Sequence, residues 1–167
     1  MPEIKDLYYE ADTRKHQQLV AKAIIAVAHN LLDRAMRHDA SKFEEVERKS
    51  YIEPVWCLNT EEVPFGSDRY KKLTAQMGEG WDHHKHANDH HIEFFEPYAV
   101  QTLNDPIKGM NVFALIEMMC DWIAAAKRRG NEPALALDSI KRKYLIDEQL
   151  EAIIRNSLNM SFMRDDG

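Results

Sequence analysis

Two cysteines in 167 residues, Cys57 and Cys120, are too few for a disulfide framework and match no zinc spacing, which points to a reducing compartment. No apolar run approaches the length of a membrane span, and the opening MPEIKD lacks the basic and apolar regions of a signal peptide. The expected location is therefore the cytoplasm. Positive charge is also in short supply. A net charge of -6 argues against general nucleic-acid binding and against anionic membranes, although a bound divalent cation would invert the local field for an acidic substrate. Strand-like alternation, internal repeats and low-complexity runs are missing, so the chain reads as all-α.

Glycine and proline number six each, and where they are absent the chain reads as helix. From Thr13 to Arg37 neither occurs, and Leu19, Val20, Ala23, Ile24, Val27, Leu31, Leu32 and Met36 recur at helical spacing. Asp12 or Thr13 is the expected cap. A short helix follows over about Ser41 to Tyr51, then a loop over residues 52–66, which hold Pro54, Pro64 and Gly66. Ser67 is placed to cap a helix running toward Trp81, weakened by Gly78 and Gly80. Asn111 and Gly130 bracket a helix to Arg129, and two more are predicted over about Pro133–Tyr144 and Asp147–Asn159. Length and composition fit one domain, residues 1–167, with a core over about 13–159 and peripheral ends at 1–10 and 161–167.

Three constellations carry chemistry. Between Val112 and Ala126 the only charges are Glu117 and Asp121, four apart on one helix face. A helix apolar on nearly every side is expected to be buried, and an acid there must be paired, protonated or bound to a metal. A buried salt bridge or a partly exposed face would also satisfy it. Five of the eight histidines fall in WDHHKHANDHHIE, residues 81–93. They cannot all face one site, and a solvated His-rich loop is the plain alternative to metal ligation. The third element is His38-Asp39, followed by Ser41 and Lys42. His16 lies 22 positions before His38, so one straight helix would return both to nearly the same face, with His29 off to the side.

The order His16, His38-Asp39, histidine cluster, Asp121 resembles the H…HD…D pattern of HD-domain phosphohydrolases, and HDASK (His38 to Lys42) is similar to the HD-x-x-K of the subgroup with two metals. More closely, the chain resembles an uncharacterised family of bacterial and phage HD-like proteins. The shared stretches are HDASKFEEVE, FGSDRYK, HHKHANDHHIE, MNVFALIEMMCDW and DEQLEAIIRNSL, which together span most of the chain. The resemblance implies a helical bundle of the HD type. His16, His38, Asp39 and Asp121 would be metal ligands, with His84, His90 and His91 ligands of a second metal or of substrate and His83 the runner-up to His84. Lys42 would meet the substrate phosphate. Glu117 would orient a ligand histidine or accept a proton from water.

Nitrogen and oxygen donors suit one or two divalent ions from Mn, Fe, Co, Ni, Zn or Mg. The implied activity is metal-assisted hydrolysis of a phosphoester, a nucleotide by family analogy. A di-iron oxygenase of the same fold and a non-catalytic nucleotide-binding protein are the alternatives. The partner is a small phosphorylated molecule, and the resemblance leans toward a homodimer.

Overall fold

A computed structural model describes residues 3–64, 66–102 and 105–160, the side chains of 98–102 excepted. Every regular element among them is helical. Residues 161–167, expected to be peripheral, lie outside the described residues, as does Phe65 of the expected loop. No helix is long and apolar enough to cross a membrane. The chain groups into two compact units, residues 1–38 and 39–167.

The first unit is one helix, α1 (Ile4–Arg37), ending at His38. It begins nine residues before the start expected from the apolar pattern, because Glu3 and Asp6 form a reciprocal capping box and nothing breaks the helix between Ile4 and Thr13. A lone helix has no core of its own, and Leu19, Ile24 and Leu32 of its apolar stripe are exposed.

The second unit opens with a 3-10 turn, Ala40–Phe43, entered through Asp39 in the left-handed region (φ 57°). Then come α2 (Glu45–Thr60), α3 (Asp68–Gln76) and α4 (Gly78–Ala87). Short 3-10 segments at Ile92–Thr102 and Pro106–Gly109 lead to α5 (Val112–Arg129), α6 (Ala134–Lys141) and α7 (Glu148–Leu158). Asp12 and Thr13, expected to cap the first helix, lie inside α1, whereas α3, α5 and α7 carry side-chain caps. Ser67 Oγ accepts from the Tyr70 amide, Asn111 Oδ1 from Phe113 and Ala114, and Asp147 Oδ1 from Leu150. Gly130 stops α5 in the left-handed conformation at φ 64°.

The loop expected from residue 52 is instead helix to Thr60, with Pro54 inside it. An interior proline costs about 3 kcal/mol. Burial of Pro54 and Cys57 offsets that loss, and a two-pronged ion pair from Arg69 to Glu61 at 2.7 and 2.9 Å ties the end of α2 to α3. Trp56 is largely exposed on this helix.

The main core joins Met118, Met119, Trp122 and Ile123 of α5 to Ile92, Leu137, Ile146, Ile154 and Leu158. Arg155 links α7 to Asp138 of α6 at 2.7 Å. The second packing centre is the crossing of α2 and α4, and it depends on Gly80. A Cβ there would stand 2.5 Å from Ser50 Cβ and 3.2 Å from Glu47 Cα. Gly80→Ala is therefore expected to destabilise the protein by about 1–3 kcal/mol through overpacking. Urea denaturation reads this directly, and a loss below about 0.5 kcal/mol would mean the helices are free to separate.

Candidate metal centre

The crossing of α2 and α4 sets Glu47, on the inner face of α2, opposite two adjacent histidines of α4. Glu47 is fully buried, and each of its oxygens accepts from one ring: His83 Nδ1 donates to Oε1 at 2.8 Å and His84 Nδ1 to Oε2 at 3.0 Å. His84 is itself buried, with Ser41 Oγ 3.3 Å from Nδ1 and Trp81 stacked on the ring at 5.9 Å. Asn88 ends α4 and turns the chain, donating to Ser41 Oγ and to the His84 carbonyl at 2.8 Å each. That turn brings His90 and His91 back beside His84, with ring centroids 4.4 to 6.0 Å apart. His90 is anchored like His84, its Nδ1 donating to Glu117 Oε1 of α5 at 3.1 Å.

Two histidines thus have their Nδ1 protons committed to buried or nearly buried carboxylates. Their other nitrogens converge on one atom: Asp39 Oδ1 lies 3.3 Å from His84 Nε2 and 3.4 Å from His90 Nε2. With Nδ1 protonated, neutral imidazole presents a lone pair at Nε2. Two lone pairs and a carboxylate oxygen attract one another only with a proton or a cation between them. Donor atoms around a tetrahedral ion with bonds of about 2.0–2.1 Å sit about 3.3–3.4 Å apart, which is the observed spacing. The donor atoms of His84, His90 and His91 lie within 4.8 Å of one another, and His91 Nε2 is buried without a hydrogen-bond partner. This donor set fits a divalent cation.

Electrostatics agree. Burial raises the Asp39 carboxyl, but its contacts with His84, His90 and Lys42 outweigh that and hold it well below the usual carboxylate range. Burial, helped by His90 and His84, pushes His91 down to about 4, so its ring is neutral at pH 7. Carboxylates of Asp39, Glu47, Glu117 and Asp121 surround the rings, with Lys42 paired to Asp39 Oδ2. The surplus is negative, as a cation site requires.

Of the residues singled out from sequence, the second unit brings together Asp39, His84, His90 and His91. Glu117 touches His90. Asp121 stands in the wall of a cavity shared with His90 and His91. It is half-buried on a helix whose Val112 and Cys120 are exposed, so α5 is not enclosed on every side as its composition predicts. Lys42, expected on phosphate, holds Asp39. His83 faces Glu47 and Glu44, away from the cluster. His16 and His38 belong to the first unit, His16 on an exposed turn of α1 and His38 joined through the chain to Asp39. Sequence reasoning missed Glu47, Ser41, Asn88 and Trp81 as supports of the centre. Glu47 sits in FEEVERK, a run that reads as solvated surface, although its place eight residues after Asp39 on a helix facing α4 is a signal in retrospect.

A family profile matches residues 5–160 and is described as a family of unknown function, DUF5662. The chain belongs to this family. Searches of the curated proteins and of the solved structures give no match. The matched span covers both units and every residue of the centre described above.

The low His91 value sets a pH dependence for the metal-free protein. An unfolded chain binds a proton at His91 near pH 6.5, whereas the folded one excludes it until about pH 4. Folding stability should therefore fall as pH drops from about 6.5 to 4, by up to about 3 kcal/mol from this group. His91→Gln should flatten that part of the profile in urea denaturation series, and an unchanged slope would remove His91 as its source. Glu47→Gln, which weakens the hold on His84, should lower divalent-metal affinity by about 10- to 100-fold, read by calorimetry.

Proposed function

We propose that this protein is a metal-dependent phosphohydrolase. The observation that carries the reading is the meeting of His84 Nε2 and His90 Nε2 at Asp39 Oδ1, with each ring anchored from behind by a glutamate. His84, His90, His91 and Asp39 would hold a divalent ion. Such an ion, when bound, polarises a phosphoryl oxygen and lowers the pKa of a coordinated water.

The chain's own groups do the rest. Glu47 and Glu117 keep the Nδ1 protons in place, which fixes both tautomers and aims the Nε2 lone pairs inward. Lys42, salt-bridged to Asp39, is a cation at the edge of the centre, suited to meeting a phosphate oxygen. Asp121 offers a carboxylate on the open, cavity side of His91, suited to accepting a proton from the attacking water. The resemblance of the H…HD…D order to HD-domain enzymes supports the same chemistry, with nucleotides as the reference substrates.

Native protein is expected to carry at least one equivalent of a transition metal by elemental analysis. The Mn- or Co-loaded form should release phosphate from members of a panel of nucleotides and simple phosphomonoesters. Asp39→Asn, nearly isosteric, should lose metal and reduce turnover by at least about 100-fold. Full metal content in Asp39→Asn, or no phosphate from any ester tested, would sink the proposal.

A further inference from the structure

We infer that the cavity beside the centre receives a phosphomonoester with an uncharged, largely apolar body, and that it disfavours di- and triphosphates; this rests on the metal-dependent reading above. The cavity measures about 690 Å³, within the roughly 300–1,000 Å³ of small-molecule pockets. His90, His91 and Asp121 form part of its wall, so whatever occupies it abuts the donor cluster.

Its remaining surface is mainly hydrocarbon. Met118, Trp122 and Ala125 of α5 face Leu135, Ala136 and Ile140 of α6 and its flank. Glu117, Asp121 and Ala125 succeed one another at four-residue spacing, so they form one line along α5. The first holds His90, the second stands at the cavity end of the cluster, and the third is a methyl where a longer side chain would fill the space. A body extending from a phosphate at the cluster therefore lies along Ala125 against Trp122, a surface that rewards apolar or aromatic groups.

Charge excludes the longer phosphate chains. Away from the cluster the wall carries Glu93, Glu132 and Asp138 as well as Arg129, Arg142 and Lys143. Lys143 is already held 2.6 Å from Glu93. With Asp121 in the same wall and Arg155 held 2.7 Å from Asp138, four carboxylates stand against four cations, which leaves no net positive surface for a second or third phosphate. A divalent ion held by the cluster would be the attractor for phosphate, and the cluster offers room for one such group.

The test compares 1-naphthyl phosphate, phenyl phosphate and ATP on metal-loaded protein, with Ala125→Leu and Ala136→Leu as variants. Both alanines are only half-buried, so the larger side chains can be accommodated in the folded protein. The expected kcat/KM for 1-naphthyl phosphate exceeds that for ATP by at least about tenfold. Each leucine should raise KM for the naphthyl ester about tenfold and for the smaller phenyl ester by less, with metal content unchanged. Preference for ATP, or naphthyl KM values that neither leucine moves, overturns the inference while the hydrolase reading stands. With no ester turned over, calorimetry with 1-naphthylmethyl phosphonate decides: tight binding that Ala125→Leu weakens upholds the cavity and overturns only the hydrolase reading, and no binding overturns both.

Discussion

Glu47 is a carboxylate with no access to water, and an ionised group in that position is tolerated only if hydrogen bonds replace its hydration. Two imidazoles supply them, one at each oxygen. The same two bonds fasten α2 to α4, fix the tautomer of His84 and so aim its free nitrogen at Asp39. Their geometry requires the two helix backbones to come close, which is why Gly80 faces Ser50 and the Glu47 backbone with no side chain between. Packing and chemistry are therefore one constraint here. A change that separates the helices strands a buried charge and misdirects a donor at the same time.

On the opposite side, Glu117 repeats the device with His90. The two glutamates come from different helices and their histidines from either side of the Asn88 turn, yet the Nε2 atoms of both rings reach the same oxygen. That oxygen is presented by a residue in the left-handed region, the only non-glycine among the described residues with a positive φ. Aspartate tolerates this conformation better than most residues, at a cost of order 1 kcal/mol. The lone buried nitrogen of His91 and the crowd of carboxylates add to that cost, and a cation among them would offset both.

Helix limits that depend on local chemistry were legible in the sequence: Ser67, Asn111, Asp147 and Gly130 act as the caps and stop their residue types predict. Limits decided by tertiary packing were not. Pro54 reads as a breaker, and only its burial against neighbouring helices shows why α2 continues past it. The histidine cluster was conspicuous, but five rings in nine residues had no obvious common face. The missing information was the turn at Asn88, which folds His90 and His91 onto His84 while His83 and His86 point elsewhere. Glu47 was least legible of all. One buried glutamate in an acidic, basic and aromatic run has no sequence mark that distinguishes it from its exposed neighbours Glu44 and Glu45.

Asp121 and Glu117 were read as a pair because they are four apart in an apolar helix, and that spacing has a further consequence. On a rigid helix it fixes where one group's neighbour must be, about 6 Å along the axis. Glu117 positions a donor, Asp121 stands where the donor cluster opens, and Ala125 borders the space beyond. Asn111 and Gly130 cap this helix at its two ends, and Met118, Met119 and Trp122 bind it into the core. The separation between the donor cluster and the cavity is thus set by helical geometry rather than by a loop. For the proposed phosphomonoester, selection would follow length and polarity, because α5 fixes the distance from the donor cluster to Ala125.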